Sequence, residues 1–377
     1  MTTLRVIVDD VVISGAQGRY SEELTRELIR TAPVGCQVSG IISAVSPQEI
    51  ETVTRLLPGL TGLYRSGLAR RELQLAWQHG FTHLPGGGMI HAPSLLAPLS
   101  RHDRDTAVGQ QSIVTVHDAI AHTHPDALAP RQLNWQRAML KRAFRYADAV
   151  IVPTHSVAQS LAEVFDFGER IRVIPSAVST KLALPVDAEL RAVQLQLPQR
   201  YVLASGSLMP HRGLEPLIQS LSARDDAGLP LLLIGSPDTP TRSVAEVARD
   251  AGVAIDRVRT LGALSDADLA VVISRASVFV VASVAEGFTL TLLEAFAAGT
   301  PVVHSDAASV VEVAADAGVV VDSSEPDSYA ERLATAIATV VGDPRKAAQM
   351  SVTGRDRASA FSWQDSARQI WQLHADL

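Results

Sequence analysis

Near-continuous apolar runs rich in valine, isoleucine and leucine alternate along this chain with longer amphipathic stretches. In the first half, LRVIVD (4–9), QVSGIISAV (37–45), MIHA (89–92), SIVTVHD (112–118), AVIVPT (149–154) and IRVIPSAV (171–178) predict strands, and helical periodicity predicts helices over 20–32, 67–79, 130–147 and 156–165. The rhythm then restarts, with strands predicted at YVLASG (201–206), PLLLIG (230–235), RVRTLG (257–262), SVFVVAS (277–283), PVVHS (301–305) and GVVVD (318–322). Strands that are apolar along their whole length belong to parallel sheets covered by helices on both faces. Two successive series therefore predict two doubly wound α/β domains rather than one barrel.

Residues 179–199 hold no strand pattern and carry two prolines, which predicts a linker there. Beyond Asp322 only helical patterns remain, over 326–341 and 344–361, followed by SWQDSARQIWQLHADL. In that last segment Trp363, Ala367, Ile370, Trp371 and His374 recur at three- and four-residue spacing, so it has one face to bury. Open α/β sheets bind ligands outside the carboxyl ends of their strands, which directs attention to the loop after each strand.

The 377 residues, 47% apolar and 19% charged, suffice for two domains with large cores and are too apolar for a disordered chain. A net charge of −7 argues against a nucleic-acid binder that covers phosphates with basic side chains. The charge is uneven: residues 1–181 carry 18 Lys and Arg against 16 Asp and Glu, the remainder 15 against 24. A single cysteine, Cys36, excludes an intramolecular disulfide and a cysteine-rich metal site. Asp9 and Asp10 fall where an export signal would have its apolar core. The longest apolar stretch, 269–285, is interrupted by Ser274, Arg275 and Ser283 and falls short of the ~20 residues of a membrane helix. A cytoplasmic location is the expectation.

Four loops carry candidate chemistry. In EGFTLTLLEAFAAGTPVV (286–303) a strand ends at Ser283 and a helix starts near Thr289, so its free N–H groups and dipole suit an anionic phosphate. Glu294 lies about one turn inside that helix. Taken alone, two such glutamates are more often one solvated side chain and one paired with a neighbour. In GSLMPHRG (206–213) Arg212 projects from the loop after a strand, where a guanidinium can hold a diphosphate bidentately. In SGAQGRY (14–20) the glycines permit close backbone approach, but neither the dinucleotide pattern nor a Walker lysine is present. His117 and Asp118 end the run VTVHD, with His91, His122 and His124 as weaker candidates at similar places. No H-E-x-x-H or His/Asp cluster reads as a metal site. Arg137, Lys141, Arg142 and Arg145 share one predicted helix, with Arg65, Arg70 and Arg71 upstream; most such runs are solvated faces.

The 286–303 stretch resembles the E-x7-E signature of retaining glycosyltransferases of family 4, commonly written EGFGLPVLEAMACGTPVV. Its departures include Thr289, Thr291, Phe296 and Ala298, and it keeps Glu286, Glu294, Gly287, Phe288, Gly299, Thr300 and Pro301. Similar segments follow the family order: RVIVDD with GAQGRY, VTVHD, YADAVIVPTHSVAQSLAEVF, RIRVIPSAV, YVLASGSLMPHRGLEPLI and FSWQDSARQIWQ. The resemblance implies the α/β GT-B fold, with two facing Rossmann-like, doubly wound parallel-sheet domains at 1–180 and 181–361. The carboxyl-terminal helix, 362–377, is expected to cross back to the amino-terminal domain.

What the resemblance implies of the site is specific. Glu286 contacts the donor sugar and Glu294 the ribose; Gly287 and the amides of Phe288, Thr289 and Leu290 face the diphosphate. Arg212 stabilises the leaving group beside Ser207, where the family often has arginine, and His211 also replaces a basic residue. Ala263 lies at the base. Gly15 and Ala16 border the donor phosphate, Arg19, Tyr20 and Asp118 the acceptor, and His117 the reacting sugar carbon, so that His117, Glu286 and Arg212 are the catalytic candidates. The partners so implied are a nucleotide sugar, GDP-mannose first, and a hydroxylated acceptor such as a glycan, lipid-linked sugar or small molecule. No cofactor, metal or nucleic acid is expected, and the basic helices suggest contact with the inner face of an anionic membrane. A sugar-nucleotide epimerase of the same fold, or a catalytically silent scaffold, is the alternative; a scaffold would be expected to lose Glu286, Arg212 or His117.

Overall fold

The computed structural model of the chain describes residues 2–13, 15–81, 88–103, 109–224 and 226–377. The chain divides into two units, Met1–Ser176 with Ser362–Leu377, and Ala177–Phe361. The first contains strands β1 (Thr2–Ile7), β2 (Cys36–Ile42), β3 (Leu63–Arg65), β4 (Met89–Ala92), β5 (Ser112–Thr115), β6 (Ala149–Val152) and β7 (Ile171–Val173). They form one parallel sheet in the order β3-β2-β1-β4-β5-β6-β7. The β6 residues Ala149, Val150, Ile151 and Val152 are all buried, as a strand covered on both faces requires. Helices α1 (Ala16–Arg30), α2 (Pro47–Leu56), α3 (Arg70–His79), α4 (Ile120–Thr123), α5 (Pro130–Tyr146) and α6 (His155–Ala162) connect the strands.

The second unit repeats the plan with β8 (Val202–Ser205), β9 (Leu231–Ile234), β10 (Val258–Gly262), β11 (Val278–Val281), β12 (Val302–Ser305) and β13 (Val319–Val321), all parallel, in the order β10-β9-β8-β11-β12-β13. Its helices are α7 (Ala188–Gln194), α8 (Leu214–Gln219), α9 (Val244–Asp250), α10 (Asp266–Ser274), α11 (Leu290–Ala298), α12 (Ala308–Ala314), α13 (Pro326–Gly342) and α14 (Pro344–Ser359). In each unit the strand order reverses beside the first strand, between β1 and β4 and between β8 and β11. Loops diverge there and leave a crevice, the place where doubly wound sheets bind ligands.

The chain ends in the first unit with α15 (Trp363–Asp376), capped by Ser362, whose hydroxyl accepts from the Asp365 N–H. Ala367 and Ile370 are fully buried, the Trp371 indole donates to the Leu28 carbonyl (3.0 Å), and the Ser366 hydroxyl donates to the Pro175 carbonyl (2.8 Å). Burying a side chain such as Ile370 contributes about 1.5–3 kcal/mol, so the helix is held by its face rather than its propensity.

The twelve predicted strands are present. Strand β3 and helix α2 are among the elements that escaped the pattern. Strand β3 is three residues long and largely exposed at the sheet edge, too short to show a period. Helix α2 did carry a local signal, a Ser46/Glu49 capping box followed by Pro47 at the first helical position. Strand β1 stops at Ile7, and Asp9–Val12 forms a 3-10 turn instead of completing it. Within the predicted linker the chain forms α7.

Candidate active site

The switch point of the second unit brings the loops after β8 and β11 together. Gly213, between the 3-10 turn Pro210–Arg212 and α8, has φ +62°, and any side chain there would overlap the Ala282 carbonyl oxygen. Only glycine lets the two loops close to that distance. The Val284 N–H donates to the His211 carbonyl (2.9 Å), the Ser283 hydroxyl to the Arg212 carbonyl (3.4 Å), and the buried Tyr329 hydroxyl, from α13, to the Ala282 carbonyl (3.0 Å). On this frame the Arg212 guanidinium forms an ion pair with Glu286; the arginine side chain is 35% exposed and the glutamate 9%. The Ser309 hydroxyl, from α12, donates to the Glu286 carbonyl at 2.6 Å.

Helix α11 begins next to that pair. Its N-cap, Thr289, makes no capping hydrogen bond, and no acidic residue occupies the first turn. The leading N–H groups therefore keep the positive end of the dipole uncompensated by the helix's own side chains. The Thr289 hydroxyl is buried without a hydrogen-bond partner among the described residues. Thr291 shares a 3.1 Å hydrogen bond with Ser205 at the end of β8. Glu294 is 2% exposed, one turn into α11; Gly287 and Leu290 are buried, and Phe288 packs edge-on against Phe361. Ser207 is half-buried after β8, and Ala263 is exposed immediately beyond Gly262 at the end of β10.

In the first unit, Gly15 (φ +100°) is the N-cap of α1 and is exposed with Ala16. Gly18 serves the fold instead: a side chain there would overlap the Ile13 carbonyl oxygen, so its close approach is to its own chain rather than to a ligand. Arg19 is half-buried. Tyr20 faces inward, sharing a 3.3 Å hydrogen bond with Thr115 and meeting the edges of the His117 and Trp363 rings at 4.6 and 5.5 Å. The His117 Nε2 lies 2.8 Å from the Pro93 carbonyl. A carbonyl only accepts, so Nε2 carries the proton and the neutral ring keeps Nδ1 as an acceptor. Burial lowers the His117 pKa, against the Pro93 bond and the charges of Asp118 and Asp10. Asp118 accepts from the Ile120 N–H at 3.0 Å and starts the turn into α4.

Other histidines are placed differently: His91 is fully buried, His122 lies within α4, and His124 is the residue that ends it. Of the basic run, Arg70 pairs with Asp10, Arg137 donates to the Ala121 carbonyl and Arg142 to the Leu99 carbonyl, while Arg65, Arg71, Lys141 and Arg145 are exposed. Asp10, 3% exposed beyond β1 and paired with Arg70, was not among the candidates read from the sequence. Among the described residues no group of three or more His, Cys, Asp or Glu is placed to hold a metal ion, and no helix is long and apolar enough to cross a membrane.

Two parallel Rossmann-like sheets, each reversing its strand order beside its first strand, are the architecture of GT-B glycosyltransferases. The family description Glycosyltransferase Family 4 matches residues 17–182, and Glycosyl transferases group 1 matches 186–357. The chain belongs to the glycosyltransferases of this family 4 type. An MMP alpha-(1->4)-mannosyltransferase of Mycolicibacterium hassiacum is 27% identical over 94% of this chain and 93% of its own length. A D-inositol 3-phosphate glycosyltransferase of Corynebacterium diphtheriae is 25% identical over 96% of this chain and 90% of that relative. Among solved structures, a sucrose-phosphate synthase from Thermosynechococcus elongatus aligns over 100% of this chain and 99% of that one, with a TM-score of 0.73 at 23% identity. HepE of Anabaena, solved with UDP and glucose, covers both chains fully at a TM-score of 0.74 and 16% identity.

Proposed function

We propose that this glycosyltransferase moves a hexose, mannose first, from a nucleoside-diphosphate sugar to an acceptor hydroxyl with retention and without a metal ion. The observation that carries this reading is the meeting of Arg212 and Glu286 at the β8/β11 switch point, beside the uncapped start of α11. As the sugar C1–O bond breaks, negative charge grows on the departing diphosphate and the sugar becomes oxocarbenium-like. Arg212 and the α11 amides meet that charge with donors already in place, which is where preorganisation lowers a barrier most. Glu286 orients the sugar, Glu294 holds the ribose, and the loop at Gly15 adds backbone donors. The acceptor oxygen forms its bond to C1 on the face the diphosphate leaves, and its proton passes to the leaving phosphate oxygen. To His117, whose ring meets that of Tyr20, the reading assigns a role toward the reacting carbon.

The likeness to the M. hassiacum mannosyltransferase supports a mannosyl donor, with GDP as the first base to test. Nucleotide release from GDP-, UDP-, ADP- and dTDP-sugars, followed by NMR of the product's anomeric proton, checks it. Release from GDP-mannose with an α-linked product is expected, and an inverted product would refute retention.

A further inference from the structure

The carboxyl end of β1 holds charged groups that the proposed transfer does not yet use. Asp10 is 3% exposed, yet both its oxygens are engaged: Arg70, at the first position of α3, forms an ion pair with one, and the Gln17 amide, in the first turn of α1, donates to the other at 3.1 Å. The Asp10 backbone joins in, since its carbonyl accepts from the Ile13 N–H at 2.9 Å. One buried carboxylate thereby ties the turn after β1, the start of α1 that carries Gly15, and the start of α3. Its neighbour Asp9 accepts from the Ser43 N–H at the end of β2 (3.2 Å), and burial raises its pKa.

Burying a carboxylate costs several kcal/mol unless it is paired and hydrogen-bonded, and an apolar residue would fill this place more cheaply. A packing role therefore does not require an acid here. What an acid supplies is a fixed negative charge, and helix α1 links it to His117: Gln17 donates to Asp10, and Tyr20, about one turn further on, meets the His117 ring with centroids 4.6 Å apart. The titratable groups facing that imidazole are Asp118 on its own loop, Asp10 from the turn after β1 and Tyr20 from α1, the last with its pKa pushed up to about 12 by burial.

We propose that Asp10 is a positioning residue of the transfer site, clamped by Arg70 and Gln17 so that it holds the Gly15 loop in place and sets the charge environment of His117. The proposal rests on the reading that the Gly15 loop and His117 border the reaction. Arg70, counted in the sequence among solvated basic residues, becomes the counter-ion of that device.

The test is a histidine NMR titration of the full chain, with the His117 signal assigned through a His117→Gln variant. It is run on wild type, Asp10→Asn and Arg70→Gln, alongside kcat and KM for the best donor and acceptor found. Asp10→Asn removes a negative charge that favours the imidazolium, so the His117 pKa should fall. Arg70→Gln leaves Asp10 its charge, so the pKa should hold or rise. Both variants should lower kcat at least tenfold; Asp10→Asn should stay folded, and Arg70→Gln, which leaves a buried carboxylate without its counter-ion, should melt lower. A folded Asp10→Asn with an unmoved His117 titration, or with kcat near wild type, would overturn the proposal. A fall of the pKa in both variants would overturn it too, because general loosening and not charge would then be the cause. Should Asp10→Asn fail to fold, a fall of the pKa in Arg70→Gln, or an undiminished kcat there, decides against it. If wild type transfers from no donor, the transfer reading fails, and the titrations alone decide what Asp10 does to His117.

Discussion

A methyl group at position 213 would sit inside the Ala282 carbonyl oxygen, on a residue that already needs a positive φ. Gly213→Ala should therefore separate the loops carrying Arg212 and Glu286. The left-handed conformation alone costs a non-glycine residue about 1–2 kcal/mol, and the overlap adds to it. The expected outcome is a lower melting temperature with nucleotide binding and turnover both lost, read by calorimetry. For the glutamates the expectation differs between the two. Glu294→Ala should weaken binding of free nucleotide, since charge-assisted hydrogen bonds are worth roughly 1.5–3 kcal/mol each; unchanged affinity in a folded variant would remove Glu294 from the site. Glu286→Gln should lower kcat while leaving nucleotide affinity unchanged or tighter, because the Arg212 guanidinium loses the carboxylate that occupies it. If affinity fell as far as for Glu294→Ala, the division of roles would be wrong.

Helices at this protein's functional edges are held by long-range contacts, and α15 shows how that makes an element sensitive to pH. On its inner face His374 lies against His91 of β4, ring centroids 6.0 Å apart, with no hydrogen-bond partner at any ring nitrogen among the described residues. Burial drives the pKa of each ring down to about 3. Both are therefore neutral in the fold and free to ionise once unfolded, near 6.5. Stability is full above that value and falls as pH drops from it toward 3, by about 1.4 kcal/mol per pH unit for each ring. Urea midpoints at successive pH values should decline accordingly below 6.5, and His374→Phe should flatten the decline; an unaltered slope would show that these rings are not its source. The elements themselves were largely legible in sequence. Buried strands such as AVIV announce themselves by composition, and amphipathic helices by period. Strand β3 did not, because an exposed three-residue edge strand has no face to bury.

At the scale of the whole molecule, a metal-free mechanism makes a global prediction. On the proposed mechanism Arg212 and the amides of α11 supply the positive charge toward the leaving group, so activity should survive excess EDTA; loss restored by magnesium or manganese would contradict the assignment. The candidate site itself was only partly readable along the chain. Glu286, Glu294, Arg212, Gly15 and His117 stood out as candidates because the segments around them resemble those of a known family. Asp10 and Arg70 did not, since nothing near either one in sequence names its partner. Alternation of apolar runs and amphipathic stretches determined two parallel-sheet units and the loops at which to search, because burial on both faces of a strand is written in consecutive residues. Tertiary structure alone decided which loops meet. Arg212 and Glu286 are 74 residues apart, Asp10 and Arg70 are 60 apart, and each pair is joined by the lateral order of strands in a sheet. That order is set by crossover connections and packing between elements, which no local period records.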